Sequence, residues 1–128
     1  LKYKEKIVGY VNFLPITKRS YKKIKCGKLK DYELNLNDIL PFSKGENYCL
    51  FMSVVIDKSF RVSRALVYLL DGLKKKILQL AEEGIIVKKF IADCVTDEGE
   101  KLAKHFGGKF ISKSKTNSDI FEFENNFV

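Results

Sequence analysis

The pattern of apolar positions predicts a domain in which strands and helices alternate. Residues 48–57 form a nearly continuous apolar run, which is typical of a central strand that is covered on both faces. Residues 63–84 place apolar side chains at spacings of three and four, which predicts a long amphipathic helix. A second strand is predicted over residues 85–95, a second helix over 97–106, and a closing hairpin over 110–115 and 119–124.

The first third of the chain predicts a strand followed by a long connection. Residues 6–16 are rich in β-branched and aromatic side chains, and residues 3–6 predict a tight turn before them. Thr17 is expected to cap a short helix over residues 18–26, with Gly27 as its stop. Residues 17–47 together predict a long loop with a helical insertion, which is the kind of segment that covers binding sites.

The order of these elements predicts the fold class. Helices between strands imply some parallel pairing, and the flanking hairpins imply antiparallel pairing. We therefore expect one α/β domain over residues 1–128, with a mixed, mostly antiparallel sheet that carries helices on both faces.

Two local features of the helices carry further expectations. Gly72 inside the long helix weakens that helix by about 1 kcal/mol relative to alanine, which suggests close packing against it. Asp97, with Glu100 three residues later, predicts a capping box at the start of the second helix.

Composition narrows the class of protein. The 128 residues are 45% hydrophobic, which fits a globular domain with a buried core. The three widely spaced cysteines favour a reducing, cytoplasmic location over a secreted disulfide framework. No apolar run approaches the roughly 20 residues of a membrane-spanning helix. A single histidine and the absence of clustered cysteines give no expectation of a metal site.

The net charge of +8 lies entirely in the first half of the chain. Residues 1–64 hold 14 Lys and Arg against 6 Asp and Glu, whereas residues 65–128 hold 10 of each. Residues 17–30 contain seven of these bases and no acid. Such a segment is either a solvated helix face or a site for an anion, and the lack of interleaved aromatic residues makes nucleic acid the less favoured anion.

The junction between the central strand and the long helix predicts an anion site. A strand that ends in a short turn and leads into a helix presents free backbone amides at the start of that helix. Lys58, Arg61 and Arg64 add positive charge beside these amides. A diphosphate group would fit there.

Residues 48–110 resemble the core of the GNAT superfamily of acyltransferases. The segment VVIDKSFR, followed by ALVYLL, is similar to that family's central strand, pyrophosphate loop and long helix, and FIADCVTDEGEKLAKHFGGKF is similar to its next strand and helix. The resemblance covers most of the chain outside residues 17–47. It implies that the first strand and the first helices of the family are lacking here.

The resemblance also implies a cofactor, acetyl-CoA, and the residues that would bind it. The implied cofactor-binding residues are Val54, Val55 and Ile56, which would contact the pantetheine arm, and Arg61, Val62, Ser63, Arg64, Ala65 and Leu66, which would hold the pyrophosphate. Arg64 and Leu66 depart from the family, because they stand where it has small residues. Ala103 stands where many members have a tyrosine that protonates the departing thiolate.

Catalysis in this reading is mostly positioning, aided by a base that takes the proton of the amine through water. Glu46 and Tyr48, at the mouth of the central strand, are the candidate catalytic residues, and Asp38 is a further candidate in the loop. His105, alone or paired with Cys94, is a weaker candidate, because a single histidine at a helix end is usually a surface residue.

Three functions remain open at this stage. The leading one is an acetyl-CoA-dependent N-acetyltransferase whose acceptor is a small-molecule or peptide amine, in a protein that is a possible homodimer and has no membrane partner. The second is a GNAT-fold binding module without activity, motivated by Arg64, Leu66 and Ala103. The third, and least favoured, is a nucleic-acid-binding domain that uses residues 17–30.

Overall fold

The protein is described by a computed structural model that covers residues 2–3, 6–7, 9–56 and 65–124. The strands are β1 (Lys2–Tyr3), β2 (Lys6–Ile7), β3 (Gly9–Ile16), β4 (Gly45–Ile56), β5 (Ile85–Cys94), β6 (Lys109–Lys113) and β7 (Asp119–Glu124). The helices are α1 (Lys18–Lys25), α2 (Ala65–Glu82) and α3 (Asp97–His105), and a short 3-10 helix spans Asp31–Glu33.

The main sheet has five strands in the order β3-β4-β5-β7-β6. Among the described strands of this sheet, only β4 and β5 run parallel, and every other neighbouring pair is antiparallel. β1 and β2 form a separate two-stranded antiparallel ladder. The predicted fold class, a mixed and mostly antiparallel sheet flanked by helices, is confirmed.

Helices α2 and α3 cover one face of the sheet. The predicted stripe of α2 is buried as expected, and it packs with side chains of β4, β5, β7 and α3; the buried members of this cluster include Leu73, Ile77, Leu80, Cys49, Val87, Phe90, Ala103 and Phe121. Phe51 stacks on Phe90 with 4.4 Å between the ring centroids. This aromatic contact lies at the end of the β4–β5 ladder, whose last pair is Leu50↔Ile91.

Helix α1 covers the opposite face. Its buried residues Tyr21 and Ile24 pack with Leu50, Ile91 and Ile120 from the three central strands. Thr17 caps this helix as predicted, since its Oγ1 accepts a hydrogen bond of 3.1 Å from the amide of Ser20. The predicted connection 17–47 is shorter than expected, because β4 already begins at Gly45.

A buried ion pair ties the segment after α1 to the far strands of the sheet. The ammonium of Lys30 contacts the carboxylate of Asp93, and their side chains are only 3% and 2% exposed. Lys30 Nζ also donates to Ser118 Oγ at 2.9 Å and to Ser114 Oγ at 3.4 Å. Ser118 in turn donates to Asp93. Every proton of the buried ammonium therefore has an acceptor, which offsets the cost of burying the charge.

Two local predictions about the helices are wrong. An added Cβ at Gly72 would meet nothing within 4 Å, so this glycine allows no close approach. The cap of α3 is Thr96 rather than Asp97, and Thr96 Oγ1 accepts from the amide of Gly99 at 3.0 Å. The helix therefore begins one residue earlier than the capping-box pattern requires, so Gly99, and not Glu100, occupies the third helical position.

Gly27 is a position where only glycine fits. Its φ is +78°, a left-handed conformation that side chains rarely adopt, and an added Cβ would lie 2.2 Å from the carbonyl oxygen of Lys113. The carbonyl of Gly27 also accepts a hydrogen bond of 3.0 Å from the amide of Lys115. The chain therefore leaves α1 in direct contact with the end of β6.

Replacing Gly27 by alanine is expected to lower the free energy of unfolding by about 2 kcal/mol or more, because the backbone of Lys113 cannot yield easily. Gly72→Ala is the matched control and is expected to raise it by about 1 kcal/mol, because that site is open and helical. Urea unfolding of both variants measures the two changes. Equal stability of Gly27→Ala and the parent would contradict the expectation.

Replacing Lys30 by methionine is expected to lower the free energy of unfolding by about 3–5 kcal/mol, because the Asp93 carboxylate stays buried without its cation. Lys88→Met is the control, since Lys88 pairs with Glu46 at 3.3 Å with both side chains about half exposed. That change is expected to cost at most about 1 kcal/mol. Similar urea midpoints for the two variants would show that the buried pair does not stabilise the fold.

Candidate functional site

The two parallel strands at the centre of the sheet separate before they end. The β4–β5 ladder runs from Gly45↔Ile85 to Leu50↔Ile91, and beyond that point no described residues of the two strands pair. β4 continues to Ile56 paired with β3, whereas β5 continues to Cys94 paired with β7. The carboxyl ends of the two strands therefore enclose a gap, which is where ligands bind in many α/β sheets.

A β-bulge in β4 marks the start of the gap. Phe13 of β3 is opposite Phe51, but the next β3 residue, Asn12, is opposite Ser53. Met52 is thus an extra residue with no counterpart on β3. A bulge bends its strand and redirects backbone groups, so it accounts physically for the departure of β4 from β5.

A cleft with a cavity volume of about 170 Å³ occupies this gap. Its walls come from the bulge region of β4, the end of β5, helix α3 with its two cap residues, and β7. The lining residues are Phe51, Met52, Ala92, Asp93, Cys94, Val95, Thr96, Gly99, Leu102, Ala103, Phe106 and Phe123. Most of these side chains are apolar, so the cleft suits a narrow and largely uncharged group.

Small residues of α3 leave the cleft open. Gly99 and Ala103 are four residues apart, which places them on one face of the helix, and both line the cleft. An added Cβ at Gly99 would meet only Thr96 Oγ1, at 3.1 Å. Ala103 is 5% exposed and belongs to the buried cluster with Phe123. A larger side chain at Ala103 would have to project into the cleft or displace this packing.

Cys94 is the thiol of the cleft. Burial, together with the negative charges of Asp93, Glu100 and Asp119, raises its pKa to about 11. The group is therefore a neutral thiol at physiological pH and a poor nucleophile. Asp93 also lines the cleft, but its carboxylate is bound by Lys30 and Ser118. Among the described lining residues, no histidine and no unpaired carboxylate is available as a base.

The predicted catalytic residues Glu46 and Tyr48 lie away from this cleft. Both belong to the amino-terminal half of β4, before the strands separate. Glu46 forms an exposed ion pair with Lys88. The ring of Tyr48 packs edge-on against Tyr21 of α1, with 5.2 Å between the centroids. Their catalytic roles stay predictions, and the structure does not bring them together with the cleft.

The weaker candidates also have local partners elsewhere. Asp38 accepts hydrogen bonds from the amide of Asn35 at 2.9 Å and from the hydroxyl of Ser20 at 2.8 Å. These bonds, aided by the nearby charges of Lys23 and Arg19, lower the pKa of the Asp38 carboxyl. His105 is exposed at the last position of α3, beside the ring of Phe106. It does not line the cleft with Cys94.

The predicted pyrophosphate site lies mostly outside the described residues, which omit 57–64. The backbone of Val54, Val55 and Ile56 is the last part of β4, and Ala65 and Leu66 begin α2. Because α2 ends close to the start of β4, where the amide of Gly45 bonds the carbonyl of Gly84, its amino terminus points to the same edge of the sheet as the cleft. The helix and the cleft therefore share that edge.

Sequence reasoning missed most of the lining residues. Met52 gives no signal of a bulge, because bulges depend on how two strands pair. The spacing of Gly99 and Ala103 on a helix was a usable sign of an open face, but Ala103 entered only as a departure from the resembled family. The role of Lys30 could not be found, since its partner Asp93 is 63 residues away.

Comparison with solved structures finds proteins of the same architecture. GphF, a GNAT-like decarboxylase solved in complex with isobutyryl-CoA, matches 97% of this chain and 75% of its own, with a TM-score of 0.66 and 12% identity. A mutant of KacT matches 91% of this chain and 62% of its own, with a TM-score of 0.53 and 12% identity. A protein described as an acetyltransferase aligns over 97% of this chain and over 67% of its own chain, with a TM-score of 0.53 and 15% identity.

Neither a known protein family nor a curated protein sequence matches the chain. At identities of 12–15%, the structural likeness shows the fold alone. The chain has the GNAT fold, which is the fold that residues 48–110 predicted. Among the described residues, no helix combines the length and the apolar character needed to cross a membrane.

Alkylation by iodoacetamide is expected to modify Cys94 slowly at neutral pH and faster as the pH rises toward 11. The rise of the pKa from 9.0 to about 11 lowers the thiolate fraction about 100-fold. Mass spectrometry of the peptides, over the pH range in which the protein stays folded, gives the rate for each cysteine. The exposed Cys26 is the internal control. Equal rates at neutral pH for Cys94 and Cys26 would contradict the expectation.

Proposed function

We propose that this protein binds an acyl-CoA and transfers its acyl group to an amine, with acetyl-CoA as the first donor to test. The observation that carries the proposal is the separation of β4 and β5 over an apolar cleft, at the edge to which the amino terminus of α2 points. The GNAT fold of the chain supports it, as does the acyl-CoA bound in the neighbour GphF.

The cleft suits the pantetheine arm of the donor. A pantetheine chain is narrow and carries amides that pair with a strand edge. From Phe51 onward, the edge of β4 that faces β5 no longer pairs with that strand, so it offers such an edge. When bound, an acyl-CoA supplies an activated thioester. The backbone at the Met52 bulge, together with Val54 and Val55, would orient the thioester carbonyl and donate a hydrogen bond to the charge that develops on its oxygen.

The pyrophosphate of the donor would lie at the start of α2, held by residues of the segment Arg61, Val62, Ser63, Arg64, Ala65 and Leu66. Two features support this part of the proposal. Helix amino termini favour anions, and this helix begins at the carboxyl edge of the sheet, the edge at which the cleft also lies. Arg61 and Arg64 add cations that can bind phosphate oxygens directly.

The acceptor amine has to lose a proton. Because the described cleft offers no free carboxylate or imidazole, water is the simplest carrier of that proton. Glu46 and Tyr48 remain candidates to receive it only if water connects them to the cleft, since both lie earlier on β4. The thiol of Cys94 has the wrong protonation state to serve as a base at neutral pH.

The second candidate function is a binding module of the same fold without turnover. The specific observation that favours it is Ala103, which lines the cleft and can protonate nothing. A thiolate leaving group then depends on water or on the neutral Cys94 thiol for its proton. Product formation distinguishes the two candidates, since both bind the donor.

The direct test is calorimetry with acetyl-CoA, isobutyryl-CoA and free CoA, followed by release of CoA thiol in the presence of a panel of amines. Ala103→Phe is expected to weaken binding at least 10-fold, because the ring would fill the cleft. Lys101→Phe is the matched control, since it adds the same ring to an exposed position of the same helix. Thermal unfolding verifies that both variants are folded.

A second readout does not depend on turnover. Bound donor is expected to slow alkylation of Cys94 while leaving the exposed Cys26 unchanged. No heat, no protection and no thermal shift at millimolar acyl-CoA would overturn the whole proposal. Binding and protection without thiol release for any amine would overturn the transferase and leave the binding module. The cytoplasmic location, suggested by the unpaired cysteines, belongs to the proposal as well.

A further inference from the structure

We propose that the outer surface of α1 binds the phosphate backbone of a nucleic acid. This surface, the basic ridge, is formed by exposed side chains of α1 and of the turn that follows it: Lys18, Arg19, Lys22, Lys23 and Lys28. The inference is independent of the proposed acyl-CoA site, because α1 lies on the face of the sheet opposite α2 and α3.

The fold fixes which side of α1 faces outward. Tyr21 and Ile24 are 4% and 0% exposed in the core, and Ser20 is 3% exposed. The hydroxyl of Tyr21 donates to Glu122 at 2.8 Å, which anchors the helix to β7. The five remaining positions of this eight-residue helix all carry a basic residue, and four of them, all but Lys25, are exposed to solvent.

The cations of the ridge form two short rows. Lys18 and Lys22 are four residues apart, as are Arg19 and Lys23, so each pair lies on one line along the helix at roughly 6 Å spacing. Repeated cations at this spacing can each meet a different phosphate of one strand, and no base-specific contact is needed for such binding.

Nearby acids offset only part of the charge of the ridge. Among the described residues of α1, Lys25 is the base in an ion pair, with Glu122 at 3.3 Å, and for that reason it is not counted in the ridge. Asp38 lies near Arg19 and Lys23, and the hydrogen bonds that it accepts from Ser20 and from the amide of Asn35 favour its ionised form, so its single negative charge offsets one of the five ridge cations. The first turn of α1 contains no acid. The basic ridge therefore keeps a net positive charge, within a chain whose net charge is +8.

The chemistry of the ridge favours the phosphate backbone of a nucleic acid over a membrane or another protein. A membrane-binding helix needs exposed apolar side chains to insert, and those of α1 are buried in the core. A protein interface is usually centred on aromatic anchors, and the outer side of α1 has none. A phosphate backbone needs only point charges in a row, which lysine supplies.

The test is binding of a short RNA duplex, followed by fluorescence anisotropy over a series of salt concentrations. The double substitution Lys22→Gln and Lys23→Gln is expected to weaken binding at least 10-fold and to reduce the slope of log affinity against log salt by about 2. The matched control is Lys75→Gln with Lys101→Gln, which removes the same charge from exposed positions of α2 and α3.

Several outcomes would overturn the inference. One is the absence of duplex binding at low salt, and another is an equal loss of affinity in the control, which would mark the effect as one of net charge. A third is equal or tighter binding of polyglutamate or of vesicles that contain anionic lipid, since either would identify a different partner. Because the ridge substitutions leave the cleft untouched, acyl-CoA binding is expected to be unchanged in both double variants.

Discussion

The separation of β4 from β5 is the constraint on which the rest of the structure depends. Parallel strands normally stay paired, since unpaired backbone groups are costly to bury. Here the ladder ends at Leu50↔Ile91, and each strand continues with a different neighbour. The bulge at Met52 turns β4 toward β3, and the antiparallel pairing with β7 carries β5 the other way. The gap that results is the cleft on which the proposed function depends.

The two halves of the divided sheet are held by different means. On one face, Phe51, Phe90 and Phe123 pack together at the base of the gap and join β4, β5 and β7. On the other face, α1 spans the same three strands, and the Lys30–Asp93 pair fastens the segment after α1 to the end of β5. Because Asp93 also borders the cleft, the buried ion pair holds one wall of the cleft in place.

The cleft and the basic ridge lie on opposite faces of the sheet and differ in polarity. The cleft is apolar and has no free acid or base among its described lining residues, so it can bind and orient a group more readily than it can exchange protons with it. The basic ridge has the opposite character, because it presents a row of cations and no exposed apolar side chain. A domain of this size can carry both because α1 closes the second face of the sheet with its own apolar side.

Local patterns in the sequence determined the helices, the strands and the fold class, because the spacing of apolar residues that distinguishes a helix from a strand involves residues close together in the chain. The stripe of α2, the cap at Thr17 and the hairpin of β6 and β7 were all predictable in this way. Only the tertiary structure decided the bulge at Met52, the Lys30–Asp93 pair and the distance of Glu46 and Tyr48 from the cleft. These features depend on register and on contacts between residues far apart in the chain, and neither leaves a local periodic signal.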